Sequence, residues 1–137
     1  MRSSVRHRVP FFETDAMGVV HHSNYVRYFE LARVVWLEEH AQPYTAYVEQ
    51  GLHFATTRVE VDYQHPVRFD EKIEVTAWLA WVRHASLCIR YTIQRGEALV
   101  ARGATEHAAV SVETGRARRV PRERRDSLRR LAVETAP

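Results

Sequence analysis

The sequence predicts an α+β domain in which an antiparallel β-sheet wraps around one long α-helix. A helical pattern with a broad apolar face occupies residues 24–40, and four strand-like runs follow it in close succession. A first strand precedes the helix, over residues 5–12. A sheet of consecutive strands can bury one face of every strand against the apolar face of a single helix.

The first strand and the long helix are the first two elements. Residues 5–12 alternate loosely, and Pro10 marks an edge or a bend. Ser23 or Asn24 can cap the helix, which is predicted to run to about His40. The apolar residues that recur at helical spacing are Tyr25, Tyr28, Phe29, Ala32, Val35 and Trp36.

The four later strands are predicted over residues 53–65, 71–83, 85–95 and 98–112, after a connector with room for a short helical turn. Turn residues separate them, and all three turns are compatible with hairpins. These turns contain Pro66 with Asp70-Glu71, then Arg83-His84, then Arg95-Gly96-Glu97. The alternating apolar positions are Val59, Val61 and Tyr63; Ile73, Val75 and Ala77; and Leu87, Ile89, Tyr91 and Ile93. A second helix is predicted from Arg122 to about Leu131.

Length and composition predict one soluble domain over residues 1–137. The chain is 45% apolar and 27% charged, which is ordinary for a globular protein. No apolar segment approaches the length of a membrane span, and the N-terminus lacks a signal-peptide pattern. The single cysteine, Cys88, excludes an internal disulfide. A cytoplasmic protein without a membrane partner is expected.

The positive charge is concentrated in the C-terminal exit and helix, residues 115–137. This segment has 8 basic and 3 acidic residues, whereas residues 1–114 have 12 basic and 14 acidic ones. A general nucleic-acid surface needs basic residues spread along a face with aromatic platforms among them. We therefore expect no nucleic-acid partner; steeply salt-dependent binding that is lost without residues 115–137 would indicate one.

The loop before the long helix carries most of the functional information, in the run Glu13-Thr14-Asp15-Ala16-Met17-Gly18-Val19-Val20-His21-His22-Ser23-Asn24-Tyr25. A carboxylate that faces the N–H groups of a helix N-terminus could attack a carbonyl carbon, and those N–H groups could hold the resulting oxyanion. Gly18 lets the loop approach a substrate closely. The structural alternative for Asp15 is an Asx-turn, and for His22 a side chain that packs or meets solvent.

This loop, its continuation and the order of the elements resemble the hotdog-fold thioesterases. The continuation is Val26-Arg27-Tyr28-Phe29-Glu30-Leu31-Ala32-Arg33. The closest group is the 4-hydroxybenzoyl-CoA thioesterase family, including its YbgC-type acyl-CoA thioesterases. Weaker matches are Val61-Asp62-Tyr63 with Pro66 and Asp70-Glu71, and the terminal run from Glu113 to Pro121.

The resemblance implies hydrolysis of acyl-CoA thioesters to free acid and CoA. It implies that Asp15 is the catalytic carboxylate, as nucleophile or general base, and that the backbone N–H of His22 faces the thioester carbonyl. The His22 side chain is implicated as well. No cofactor is expected, since CoA arrives with the substrate, and the resemblance implies a homodimer or homotetramer with the site at the subunit interface.

Further residues are candidates for substrate binding. Tyr25 lies close enough to the loop to line the acyl site, and Thr56 and Thr57 could line a pocket, although ordinary strand residues would look the same. Arg83 and His84 are candidate contacts for the CoA nucleotide, because arginine suits phosphate groups. The alternative for both is a solvated turn. The arginines of the C-terminal segment are a second candidate: Arg116, Arg118, Arg119 and Arg122.

Two other functions remain open. A hotdog hydratase or dehydratase acting on acyl thioesters would leave the thioester intact, and a non-catalytic acyl-CoA-binding domain would bind without turnover. A metal site at Asp15, His21 and His22 is not expected, because adjacent histidines in an extended chain point opposite ways and only one carboxylate is near.

Overall fold

The computed structural model describes all 137 residues and confirms the predicted α+β architecture. The elements are β1 (Arg2–Arg8), a 3-10 turn (Phe11–Glu13), α1 (Asn24–His40), α2 (Tyr44–Glu49), β2 (Leu52–Tyr63), β3 (Lys72–Val82), β4 (Ser86–Arg95), β5 (Ala98–Ser111) and α3 (Arg122–Leu131). Helix α2 is the short turn for which the connector had room. None of the helices combines the length and apolar character needed to cross a membrane.

The five strands form one antiparallel sheet in the order β1-β3-β4-β5-β2. The β3–β4 and β4–β5 turns are hairpins, as predicted. The turn at Pro66 and Asp70-Glu71 is not a hairpin, because β3 is flanked by β1 and β4 and so has no free edge for β2. The chain instead crosses from one edge of the sheet towards the other between β2 and β3.

The first strand is shorter at its C-terminal end than the sequence predicted. Strand β1 ends at Arg8, and the residues after Pro10 form the 3-10 turn instead of continuing the strand to residue 12. Proline has no N–H for the ladder and fixes its own backbone angle, so it ends the pairing here. Phe11 and Phe12 consequently stand exposed.

The main core lies between α1 and the sheet. The predicted apolar face of α1 is confirmed at Tyr25, Tyr28, Phe29, Ala32 and Trp36, which are all buried, whereas Val35 is only half-buried. The Phe29 ring stacks on Tyr91 of β4 at 4.3 Å between ring centres. Gly103 of β5 makes room for this ring, since a Cβ there would lie 2.5 Å from it. Phe29 thereby anchors α1 to β4, the central strand of the sheet.

Strand β2 departs from the predicted burial pattern. The predicted inward positions on β3 and β4 are buried, but Val59 and Tyr63 of β2 are 41% and 48% exposed. The reason is its place at the sheet edge, where it pairs only with β5. The 12-residue edge of β2 is left unpaired in the single chain.

The C-terminal segment completes the other edge. After α3, the N–H groups of Val133 and Glu134 donate to the carbonyls of Leu79 and Ala80, where β3 has a bulge. The Glu134 carboxylate also pairs with Arg90 at 2.6 Å. This segment thereby covers the part of β3 that β1 does not reach. Cys88 is buried in a small cluster nearby, and burial raises the pKa of its thiol to about 11, as expected for an apolar filler.

Candidate active site

The loop between the 3-10 turn and α1 is held in shape by its own backbone. The Asp15 N–H donates to the Val19 carbonyl at 2.8 Å, and the Gly18 N–H donates to the Asp15 carbonyl at 2.9 Å. Gly18 has a φ of +79°, a conformation that side chains with a Cβ rarely adopt. The Val20 N–H donates to Val67 at 2.7 Å and so ties the loop to the segment before β3.

Glu13 connects this loop to α1. Its carboxylate accepts a hydrogen bond from the Tyr28 hydroxyl at 2.6 Å and contacts His7 Nε2 at 2.8 Å. Its backbone carbonyl accepts the His21 N–H and the Asn24 side-chain amide, both at 2.9 Å. Burial, and then the hydrogen bond to Glu13, raise the pKa of Tyr28. One buried residue thus fixes both ends of the Asp15 loop.

Asp15 is half-buried, and its two carboxylate oxygens differ. Oδ1 accepts the Met17 N–H at 2.9 Å, which is the Asx-turn foreseen as a structural role. Oδ2 has no hydrogen-bond partner in the chain. The turn therefore holds the carboxylate in one orientation while one oxygen stays available.

The helix start also has an available polar group. The His22 N–H has no acceptor among the hydrogen bonds of the protein. The predicted side-chain cap is wrong: Ser23 Oγ pairs with His21 Nδ1 at 2.8 Å, and the Asn24 amide is committed to Glu13. The N–H groups of Ser23 and Asn24 donate instead to Nδ1 and to the carbonyl of His21, at 3.2 and 2.9 Å, so the His22 N–H, two residues before α1, is the one left for another acceptor.

Asp15 and His22 line the same cleft, of about 290 Å³. Its other lining residues are Met17, Val19, Val20, Tyr25, Tyr63, Gln64, His65 and Pro66. Tyr25 is buried and packs edge-on against Tyr63 at 4.8 Å between ring centres. The Tyr63 hydroxyl donates to the His22 carbonyl at 3.0 Å. The end of β2 thereby supports the start of α1.

The rings of His21 and His22 lie together, with centres 4.1 Å apart. The expectation that they point opposite ways is wrong, because residues 22–23 form a turn and not an extended segment. No group of three or more potential metal ligands is assembled in the structure.

Four of the candidate substrate contacts do not line the Asp15 cleft. Thr56 lines a different cavity, and Thr57 is exposed at a bulge in β2. Arg83 and His84 follow the C-terminal end of β3, whereas the Asp15 loop adjoins its N-terminal end. Eleven strand residues put these ends about 33 Å apart. A single chain does not bring these residues to Asp15.

The hairpin of Arg83 and His84 lies instead against the basic C-terminal segment. The Val120 N–H donates to the His84 carbonyl at 2.9 Å. The charge of Arg125, above all, lowers the pKa of the His84 side chain, with smaller effects from burial, Arg129 and Arg119. This hairpin and Arg119, Arg125 and Arg129 therefore form one basic surface, whereas Arg118 donates to the Gly51 carbonyl at 3.2 Å.

Sequence reasoning did not assign roles to Glu13 and Tyr63. Glu13 stands in the quoted run, but nothing in the sequence says that its side chain turns inward to Tyr28 and His7. Tyr63 fitted a strand pattern, and its contact with residue 22 depends on the packing of β2 beside α1. The residues adjacent in sequence to Glu13 and Tyr63 do not predict either role.

Comparison with known proteins assigns this chain to a protein family. A sequence model of the thioesterase-like superfamily matches residues 9–129. A hypothetical protein of Thermus thermophilus has a crystal structure that matches with a TM-score of 0.89 and 37% sequence identity, over 97% of this chain and 99% of that one. A hypothetical protein of Aquifex aeolicus matches with a TM-score of 0.83 and 34% identity, over 91% and 98%. The Escherichia coli acyl-CoA thioester hydrolase YbgC is 32% identical over 90 residues, which are 66% of this chain and 67% of YbgC.

Proposed function

We propose that this chain, which belongs to the thioesterase-like superfamily, hydrolyses acyl-CoA thioesters at the cleft that Asp15 and His22 line. Its family makes it an enzyme of the thioesterase class, and its similarity to YbgC supports acyl-CoA as the substrate. The observation that carries the assignment of the cleft is that Asp15 Oδ2 and the His22 N–H, just before α1, both lack a partner and belong to residues that line the same cleft.

The chemistry follows from these two groups. The Asp15 carboxylate either attacks the thioester carbonyl carbon or removes a proton from a water that attacks it. In both routes negative charge develops on the carbonyl oxygen, and the His22 N–H and the helix dipole stabilise it. Collapse of the tetrahedral species breaks the C–S bond and releases CoA as the thiol. By the nucleophilic route, water then cleaves the acyl–Asp15 anhydride to the free acid.

The remaining residues of the cleft have supporting roles. Gly18 shapes the turn that carries Asp15, and Tyr25 forms part of the wall for the acyl group. The imidazole of His22 is exposed and has no hydrogen-bond partner in the chain, so it is free to meet the substrate. Loss of a single oxyanion donor typically costs on the order of a hundredfold in rate.

A complete site requires a second copy of the chain. The nucleotide contacts proposed at Arg83 and His84 lie about 33 Å along β3 from the Asp15 end. The unpaired edge of β2 and the exposed Val34 on α1 support a homodimer in which one subunit supplies Asp15 and its partner supplies the basic surface. A homotetramer built from such dimers is compatible with the same contacts.

Release of free thiol from acyl-CoA tests this proposal. We expect Asp15→Asn and Asp15→Ala each to lower kcat/KM by about a thousandfold. Glu38→Gln, at an exposed α1 carboxylate outside both the cleft and the basic surface, serves as the control and should match wild type. His22→Ala removes the imidazole but keeps the backbone N–H. If it lowers kcat/KM much less than Asp15→Asn does, residue 22 acts mainly through its N–H.

The same assay separates the competing functions. A hydratase or dehydratase would change the acyl group without releasing thiol. A non-catalytic domain would bind acyl-CoA with no turnover, and Asp15→Asn would change nothing. Wild-type activity in Asp15→Asn would show that the carboxylate is wrongly assigned even if thiol is released.

A further inference from the structure

A second cavity lies between α1 and the sheet and shares no lining residue with the Asp15 cleft. It encloses about 230 Å³, enough for a molecule of the size of benzoate. Apolar walls come from α1 and from β4, through Val34, Leu37, Leu87 and Ile89. Its polar lining comes from Thr56, His107 and the α1 pair Glu30 and Arg33, side chains that an apolar core would not contain.

His107, which lines this cavity, connects the exposed Thr56 to the buried Thr105 and Tyr91 behind it. His107 is almost fully buried, with Nε2 at 2.7 Å from the Thr105 hydroxyl and Nδ1 at 3.2 Å from the Thr56 hydroxyl. The Thr105 hydroxyl also pairs with the Tyr91 hydroxyl at 2.6 Å. Burial, and then the charge of Arg33, lower the pKa of His107 to about 3, so this imidazole is neutral at pH 7.

Arg33 is the charged group of the cavity, and most of its side chain is buried. One of its N–H groups donates to the neutral Tyr91 hydroxyl at 3.1 Å, and this is its only hydrogen bond. A guanidinium has five N–H donors, so the others remain available. Glu30, three residues earlier on α1, is its one acidic neighbour, but the charged atoms are 3.8 Å apart and the Glu30 side chain is 65% exposed. Arg33 is thus only weakly neutralised.

This combination selects a particular ligand chemistry. Arginine binds carboxylates through two parallel N–H groups, and such bonds are strongest where water is excluded. The apolar walls require a hydrocarbon or aryl body on the ligand, and the threonine hydroxyls can donate to further oxygens. Glu30 at the rim competes for Arg33, so its charge weakens binding of an anion.

We propose that this cavity binds the carboxylate of a small organic acid, with Arg33 as its charged contact and the apolar walls around its hydrocarbon part. The acid is either a free molecule or the distal end of an acyl group. The second case rests on the proposed thioesterase function, whereas the first does not.

Calorimetric titration of the full chain with sodium benzoate tests the site, with benzamide as the uncharged match. We expect benzoate to bind at least about tenfold more tightly than benzamide. Arg33→Met should weaken benzoate binding by about tenfold or more, and Glu30→Gln should tighten it severalfold because the competing charge is gone. Glu38→Gln, another exposed α1 carboxylate that does not line the cavity, should leave it unchanged.

Opposite effects of the two cavity variants distinguish a binding role from damage to the fold, because a destabilised helix would not bind more tightly. Absence of benzoate binding, equal binding of benzamide, or full binding by Arg33→Met would overturn the proposal. Asp15→Asn should bind benzoate like wild type, so a failure of the catalytic assignment leaves this result intact.

Adipoyl-CoA and hexanoyl-CoA separate the two sources of the carboxylate, since they differ only in a distal carboxylate. If the acyl group fills the cavity, Arg33→Met lowers the adipoyl-to-hexanoyl ratio of kcat/KM by about tenfold. If a free acid fills it, that ratio stays constant while benzoate binding is still lost. Both results uphold a carboxylate site. If the protein releases no thiol from any acyl-CoA, the calorimetric titration with benzoate still tests the site.

Discussion

The Asp15 cleft and the His107 network behind the Arg33 cavity use polar groups in opposite ways. In the cleft, Asp15 Oδ2 and the His22 N–H have no partner, and the space is open to solvent. In the cavity, both nitrogens of His107 are hydrogen-bonded and the ring is almost fully buried. Reactive groups must keep free lone pairs and donors, whereas buried polar groups must be satisfied or they destabilise the fold.

The comparison therefore predicts where stability and activity separate. Substitution of Glu13, which anchors the Asp15 loop, or of Gly103 and His107, which lie in the core beside the cavity, should lower the free energy of unfolding. Substitution of Asp15, the proposed reacting residue, should leave the free energy of unfolding almost unchanged. Four substitutions, taken from the largest expected change in stability to the smallest, can break or sharpen this contrast.

Glu13→Ala should lower the free energy of unfolding by about 3 kcal/mol. It leaves the buried Tyr28 hydroxyl and His7 Nε2 without their shared partner. Urea denaturation measures the change. Glu13→Gln retains an oxygen for Tyr28 and should recover part of the loss. Thiol release should fall in Glu13→Ala as well, because the Asp15 loop loses its anchor; full stability in this variant would show that the anchor is unimportant.

Gly103→Ala should lower the free energy of unfolding by about 2 kcal/mol. Its Cβ would lie 2.5 Å from the Phe29 ring and 2.7 Å from the Glu60 carbonyl oxygen. Because Phe29 stacks on Tyr91, the disturbance should reach the cavity and weaken benzoate binding more than it affects thiol release. Gly96→Ala meets no neighbouring atom but is strained by its φ of +59°, so it controls for loss of a glycine.

His107 should make stability depend on pH. The folded protein keeps this imidazole neutral because its pKa is lowered to about 3, whereas the unfolded chain binds a proton below about 6.5. The unfolded state therefore takes up more protons, and stability falls as the pH drops, by roughly 1 kcal/mol per unit below pH 6. His107→Gln should flatten this slope in urea titrations at pH 7, 6 and 5. An unchanged slope would contradict the assignment.

Asp15→Asn should change the free energy of unfolding by less than about 0.5 kcal/mol. The amide oxygen can still accept the Met17 N–H, so the loop keeps its turn. Thermal unfolding of the variant beside wild type checks this. A large loss of stability together with loss of thiol release would mean that Asp15 acts through the structure of the loop and not through chemistry.

Much of the fold could be predicted because its signals are local. The apolar spacing of α1, the alternation of β3 and β4, and the glycine and charged turns between β3, β4 and β5 each depend on neighbours in sequence. The family resemblance added the hotdog arrangement, which the structure and its solved relatives confirm. Pro10 predicts an edge or a bend, and in the structure β1 ends two residues before it.

The errors have a common physical origin. The hairpin expected at Pro66, the burial expected of Val59 and Tyr63, and the cap expected from Ser23 all concern partners distant in sequence. Which strand occupies each edge of β3, and which side chain reaches Glu13, is decided by packing of the whole domain. Local patterns carry no information on such choices.

The sequence by itself determined the long helix, the strands that follow it and the loop that carries Asp15, since short-range sterics and apolar periodicity specify them. The tertiary structure alone decided the order of the strands, the inward turn of Glu13, and the meeting of Arg33 with Tyr91 and His107. Those features join residues dozens of positions apart, and only the register of a complete sheet fixes which of them come within hydrogen-bonding distance.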